Sequence, residues 1–236
     1  MRVMKKNGIN KFEEVCELII NNNEVCECFI SEMSINVTQF FRDECFYKIL
    51  RDDIFKNMSS KYEFKIWSVG CANGMEPYSI AIIYEMGLLN KCIIYATDFN
   101  ESVLKEAENG IYSNDIKKEL ELNYKKVGGK FSVMDYFNEY DKCFEVKSII
   151  KEKVYFFKHN LTVDKVFNEF DFIICRNVFI YFDNKLKKKT LDLFLNSLKD
   201  VGILALGKNE SLNSNFQTDF IQYKKGCCIY KKGFNK

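Results

Sequence analysis

Two stretches of this sequence put residues able to grip a small charged ligand at the end of a buried strand. Phe64-Lys-Ile-Trp-Ser-Val reads as a short apolar strand running into a glycine-bearing loop, Gly70-Cys-Ala-Asn-Gly74. Glycines in such a loop let a ligand approach the backbone closely. Pro77 suits the first turn of the helix that follows, where its missing N–H costs nothing. A second apolar strand, 92–97, ends at Asp98, 24 residues after Gly74. An acid so placed can hydrogen-bond the hydroxyls of a ribose.

The loop discriminates between ligands. Dinucleotide sites prefer G-x-G-x-x-G, with a pyrophosphate on the helix N-terminus. Here the spacing is G-x-x-x-G, and Glu76 stands where a phosphate would have to approach. A carboxylate there repels phosphate and suits a cationic ligand. S-adenosylmethionine carries a ribose, a sulfonium and an ammonium group, and no phosphate. The competing reading is a purely structural turn, because glycine turns after strands are common.

Two arginines raise a second question. The chain has 35 Lys plus Arg, of which only Arg2, Arg42, Arg51 and Arg176 are arginine. Lysine serves this chain wherever any cation will do, so an arginine points to a need for the planar fork that matches a carboxylate. Arg42 ends Ile35-Asn-Val-Thr-Gln-Phe-Phe-Arg, and Arg176 and Asn177 interrupt the apolar run 170–182, which also holds Tyr181. Polar groups inside such a run are costly unless paired or lining a site. The plainer readings are a capped helix with a solvated Arg42, and a strand with a buried Tyr181. Arg2 and Arg51 read as surface cations.

These residues need elements to hold them. Residues 11–22 carry a helical apolar stripe, Phe12, Val15, Cys16, Ile19 and Ile20, and a second helix is expected over 38–56. Asn100 should cap a helix that Gly110 stops, and Asp183 or Asn184 another. Further strands are expected at 154–157, 170–175, 203–206 and 227–231. Residues 111–153 break this rhythm, and the alternation around Phe144, Val146 and Ile149 reads as a small, partly antiparallel insertion. Apolar strands alternating with helices imply an α/β, doubly wound, mostly parallel sheet, with ligands outside the carboxyl ends of its strands.

Composition removes whole classes. With 47% hydrophobic residues, 29% charged residues and a net charge of +2, the chain can bury a large core and shows no basic face for nucleic acid. The run 170–182 is too short for a bilayer span of about 20 residues, and the first dozen residues lack a signal-peptide core. The ten cysteines include no C-x-x-C, and there is one histidine, His159, so no metal site is expected. The expectation is a cytoplasmic monomer with reduced thiols and no membrane insertion. His159 reads as neutral and structural.

Taken together, Ile35–Arg42, 67–79 (WSVGCANGMEPYS), 96–98 (ATD) with Gly110-Ile-Tyr112, Asn160-Leu161 and 170–182 (FDFIICRNVFIYF) resemble the chemotaxis receptor methyltransferases, the CheR family. The resemblance spans nearly the whole chain in the family's order. It implies a Rossmann-like methyltransferase fold dependent on S-adenosylmethionine, with a short N-terminal helical segment at 1–33. A methyltransferase domain at 34–236 would carry a β-subdomain at about 111–153. It implies methyl transfer to glutamate carboxylates on the cytoplasmic helices of methyl-accepting chemotaxis receptors, leaving S-adenosylhomocysteine. It further implies that Asn36, Thr38, Arg42, Gly70, Glu76, Asp98, Asn160, Leu161, Arg176 and Asn177 bind the cofactor. Arg42 and Tyr181 would lie nearest the transferred methyl.

The sequence departs from the family in three places. About 33 residues precede the INVTQFFR stretch, fewer than the family's N-terminal helical domain. Met75 replaces an acid, and the family's G-H-S-E reads Gly207-Lys-Asn-Glu210. Two alternatives therefore stand beside the main reading: methylation of another carboxylate substrate, and a non-catalytic regulator that binds S-adenosylmethionine.

Overall fold

The computed structural model describes residues 20–22, 38–58, 63–86, 91–212, 219–224 and 226–233. The chain divides into two units, Met1–Val37 and Thr38–Lys236. In the first, residues 20 and 21 are helical. The rest of the helix expected over 11–22, and Asn36, lie outside the described residues.

The second unit is built on a seven-stranded sheet. Its strands are β1 (Phe64–Val69), β2 (Cys92–Asp98), β6 (Val154–Lys158), β7 (Phe170–Cys175), β8 (Leu198–Leu206), β9 (Phe220–Gln222) and β10 (Ile229–Lys232). Their order is β6-β2-β1-β7-β8-β10-β9. The first five run parallel, and β10 pairs antiparallel with both β8 and β9. β7 is buried along its whole length, as the apolar run FDFIIC requires of a strand covered on both faces. Its Asp171 is tolerated because the carboxylate accepts from the Lys65 amide and from Lys199. The chain builds outward from β1 through β2 to β6, then crosses back to β7 on the other side of β1. The carboxyl ends of β1 and β7 therefore diverge around a crevice, the place where such sheets bind ligands.

The helices that follow β1, β2 and β7 are α2 (Met75–Glu85), α3 (Glu101–Asn109) and α6 (Asn184–Ser197). Asn100 caps α3 by accepting from the Ser102 amide at 2.9 Å, and Gly110 ends it in a left-handed conformation. Asp183 caps α6. Asn100→Ala is expected to cost about 1 kcal/mol, read as a lower midpoint in urea unfolding. Trp67, fully buried on β1, packs tilted against Phe170 and edge-on against Phe194 and donates its indole N–H to Thr97 at 2.8 Å. This bond ties β1 to β2 just below the loop that each strand feeds.

The insertion is a three-stranded antiparallel sheet of β3 (Ile111–Ser113), β5 (Cys143–Val146) and β4 (Phe137–Glu139), with helix α4 (Lys117–Lys126) and the single turn α5 (Ser148–Lys151). Phe144 and Val146 face its interior, as the alternation predicts, but Ile149 does not continue the pattern: it lies in the turn α5 and is exposed.

The helix expected over 38–56 begins later. Helix α1 covers 44–58, as Glu44–Ile49, a π-helical stretch Leu50–Ile54, and a last turn Phe55–Met58. Residues 38–43 form an irregular arm instead, because Phe41 and Asp43 both take positive φ, 54° and 63°. Arg51 is more than a surface cation. It chelates Asp52 through two bonds of 2.7 Å and donates to the Val127 carbonyl, joining α1 to the end of α4. The three-residue β9 was not foreseen from sequence.

Candidate active site

The glycine loop is built around Asp98. Gly70, Ala72 and Gly74 all have positive φ, 66°, 47° and 87°, which folds the loop back on itself. The Ala72 amide donates to Asp98 Oδ2 and the Asn100 amide to Oδ1, both at 3.0 Å. Each carboxylate oxygen keeps a lone pair for a ligand hydroxyl. Burial pushes the Asp98 carboxyl up, and the backbone donors from Asn100, Ala72 and Phe99 oppose it. A Cβ on Gly70 would fall 2.7 Å from Val178 Cγ2, so the tips of the β1 and β7 loops already touch there. Asn160 and Leu161 follow β6, whose next residue, His159, donates its amide to the Asp98 carbonyl. The Asn160 side chain caps its own turn by accepting from Thr162. His159 is buried edge-on against Trp67, its ring serving the core.

Arg176 is the hub on the other side of the crevice. Its side chain is 2% exposed. Nη1 donates to Glu76 Oε2 at 3.0 Å; Nη2 donates to Asp43 Oδ2 at 2.5 Å and to the Arg42 carbonyl at 2.9 Å. The guanidinium lies 4.4 Å over the Phe46 ring. The planar fork spreads its donors over two carboxylates and a carbonyl while lying flat on the Phe46 ring, a geometry that the compact ammonium of lysine does not reproduce. Glu76 completes its bonding with the Ser68 hydroxyl at 3.0 Å. Burial holds its carboxyl above the usual range, although Arg176 pulls the other way.

The 38–43 arm is pinned from three directions. Phe41 donates its amide to Ser79 on α2 at 3.0 Å. Asn123 on α4 donates to the Phe40 carbonyl at 3.0 Å, and Gln39 donates to Glu119. Phe40 packs edge-on against Tyr112 and Phe137 of the insertion. Arg42 thus projects from a backbone whose neighbours on both sides are left-handed. Among the described residues, the four non-glycine positions with positive φ are Phe41, Asp43, Ala72 and Asn177. All four belong to this site. Such residues cost roughly 1–3 kcal/mol each and persist where the surroundings over-determine them.

Asn177 is held by a residue that sequence reasoning did not select. Glu210, 5% exposed, accepts from the Asn177 amide at 2.9 Å and from the Gly207 amide at 2.6 Å. It clamps the loop after β7 to the loop after β8. The available signal was its place at the end of Gly207-Lys-Asn-Glu210, where the acid of the family's pattern is retained. Thr38 is half-buried at the start of the arm. Tyr181 ends the short turn Phe179–Tyr181, is 58% exposed and is not among the residues that line the cavity beside Arg42.

Within this crevice Asp98 offers acceptors for a diol, Glu76 offers negative charge, and no phosphate could approach the first turn of α2 without meeting a carboxylate. Asn100 Nδ2 and Asn73 Oδ1 are buried without a partner among the described residues, which leaves a donor and an acceptor beside Asp98 for a ligand. The donor set therefore fits S-adenosylmethionine.

Residues 36–227 match the family described as CheR methyltransferase, SAM binding domain. The chain belongs to the CheR methyltransferase family. A chemotaxis protein methyltransferase of Borreliella burgdorferi is 35% identical over 243 residues, covering 94% of this chain and 83% of that one. Chemotaxis protein methyltransferase 1 of Vibrio cholerae is 34% identical over 201 residues, covering 81% and 70%. As a CheR protein the chain is an S-adenosylmethionine-dependent methyltransferase, and its seven-stranded, mostly parallel sheet with a small antiparallel insertion is the Rossmann-like fold expected. Among the described residues no helix is long and apolar enough to cross a membrane, and no cluster of His, Cys, Asp and Glu could hold a metal.

Proposed function

We propose that this protein methylates glutamate side chains of methyl-accepting chemotaxis receptors, acting in the cytoplasm as a monomer. Residues 34–236 serve as the methyltransferase domain and 1–33 as a docking segment. The observation that carries the reading is the over-determined Arg42 arm beside an Asp98–Glu76 crevice shaped for a ribose and a cation. When bound, S-adenosylmethionine supplies an electrophilic methyl, and attack by a carboxylate oxygen returns the S–C electron pair to sulfur.

A glutamate is already ionised at neutral pH, so the protein needs no general base. Its work is positioning, which can contribute roughly 7–11 kcal/mol. Asp98 takes the ribose hydroxyls, and Glu76, shared with Arg176, takes the ammonium. Asn160 and Leu161 flank the adenine beside Asp98, and Asn177 closes that side of the crevice. Arg42 orients the acceptor carboxylate, and the exposed Tyr181 hydrogen-bonds near the methyl. Thr38 frames the pocket at the start of the arm.

The test is Arg42→Lys, assayed by base-labile tritium transferred to receptor-containing membranes. A misplacement of about 1 Å costs on the order of 100-fold, and turnover is expected to fall by about that factor. Binding of S-adenosylhomocysteine should change no more than a few-fold. Near-wild-type turnover would remove the role of Arg42, and label appearing only on small carboxylic acids would overturn the receptor reading.

A further inference from the structure

A cavity of about 510 Å³ opens beside the arm. It is walled by Arg42, Asp43 and Arg176, and reaches α4 of the insertion, the loop after β8 and the start of β10. Gly70, Glu76, Asp98 and Asn160 are not among its lining residues, while Arg176, which lines it, bonds Glu76 of the crevice at 3.0 Å. Its size falls in the roughly 300–1,000 Å³ range of small-ligand sites.

The charge of this compartment is lopsided. Its lining carries four cations, Arg42, Lys126, Arg176 and Lys208, against two carboxylates, Asp43 and Glu44. Asp43 is taken by Arg176, and Glu44 lies 3.6 Å from Lys48. Lys126 from α4 and Lys208 from the loop after β8 are exposed and have no ion-pair partner among the described residues. Two cations without an ion-pair partner among the described residues, on separate elements and lining the same cavity as Arg42, make a surface whose complement is negative on more than one residue.

We infer that this cavity receives the acceptor segment, and that Lys126 and Lys208 select a target glutamate flanked by further carboxylates. The inference rests on the methyl-transfer reading above and adds the acceptor's sequence character. A carboxylate at Arg42 sits at the cavity wall, within reach of a methyl held in the crevice. The flanking acids meet Lys126 on one side and Lys208 on the other. Esterification removes one negative charge from the acceptor, so the same cations hold the product less tightly than the substrate.

The experiment compares two synthetic helical peptides, each with a single glutamate, flanked at three and four positions on either side by Asp in one and Asn in the other. Methyl transfer is followed as base-labile tritium for the wild-type protein and for the double variant Lys126→Glu, Lys208→Glu, whose exposed sites should leave the unfolding midpoint nearly unmoved. The wild type is expected to show a KM at least tenfold lower for the Asp-flanked peptide. In the double variant that ratio should collapse toward one, with the loss in KM rather than kcat. On receptor membranes the double variant should lose at least tenfold in kcat/KM. Equal KM values for the two peptides with the wild type would overturn the inference, as would undiminished kcat/KM of the double variant on membranes. In either case label on the membranes leaves the receptor-methylation reading standing. Absence of label on membranes and peptides alike, with S-adenosylhomocysteine still bound, would overturn both.

Discussion

Arg176→Met is expected to destabilise the protein by about 3–5 kcal/mol, measured as a shift in urea unfolding. Methionine keeps an unbranched apolar stem but is too short to reach the place where the guanidinium lies over the Phe46 ring. What it removes is the counter-charge of two carboxylates and the donor to the Arg42 carbonyl. Breaking a buried pair costs more than the pair is worth, because the partner charge stays buried and alone. The loss should also depend on pH, in a direction that Glu76 sets. Burial already holds the Glu76 carboxyl above the usual range, and Arg176 is the strongest influence opposing it. Without Arg176 the folded-state value rises further above that of the unfolded chain. A group raised in this way favours folding below its unfolded value of about 4.3, and that contribution is lost as pH rises through the folded value. The deficit relative to wild type is therefore smallest in acid and grows toward neutrality. A deficit independent of pH between 4 and 8 would show that Glu76 is not the carboxylate left exposed to the loss.

Glu210→Ala is the second large effect. Two backbone donors, the buried Gly207 amide and the part-buried Asn177 amide, would lose the acceptor that the clamp provides. Hydrogen bonds to a charged group contribute about 1.5–3 kcal/mol each, so a loss of about 3 kcal/mol is expected from urea unfolding. Asn177, released from its left-handed conformation, should no longer close the crevice. Affinity for S-adenosylhomocysteine, read by titration calorimetry, is expected to fall at least tenfold. Glu210→Gln retains an acceptor oxygen and should lose about 1 kcal/mol, with affinity close to wild type. If the two variants lose affinity equally, the negative charge and not the clamp is what matters.

The crevice itself was readable before any coordinates. Apolar runs announce β1, β2 and β7; Gly74, Pro77 and Asn100 punctuate them; and Asp98 and Arg176 stand out as polar residues where strands end. These are local signals, settled within a few residues. The arm was not readable, because Phe40, Phe41, Phe46, Ile49 and Leu50 satisfy a helical stripe as well as they satisfy the real structure. What breaks the helix is remote: Ser79, 38 residues away, holds the Phe41 amide, and Arg176, 134 residues away, holds the Arg42 carbonyl. Glu210 and Arg51 were missed for the same reason. A charged side chain on a surface-looking segment says nothing of a backbone amide 33 positions upstream, or of a carbonyl 76 positions downstream. β9 is three residues long and is defined by its pairing with β10 rather than by any pattern of its own.

The π-helical stretch Leu50–Ile54 has a bearing on how this gene can vary. Such a stretch lodges one residue more than an α-helix needs for the same rise. Everything N-terminal to it, from Ile49 back to Asp43 and the arm, takes its angular setting from that extra residue. Gain or loss of a single codon within 50–54 would turn those residues by about 100° about the helix axis, swinging Asp43 off Arg176 and Arg42 off the cavity wall. Leu50 and Ile54 are fully buried, so identity matters at those two positions as well. The count of residues in that helix is a second constraint that lineage and engineering alike must leave untouched.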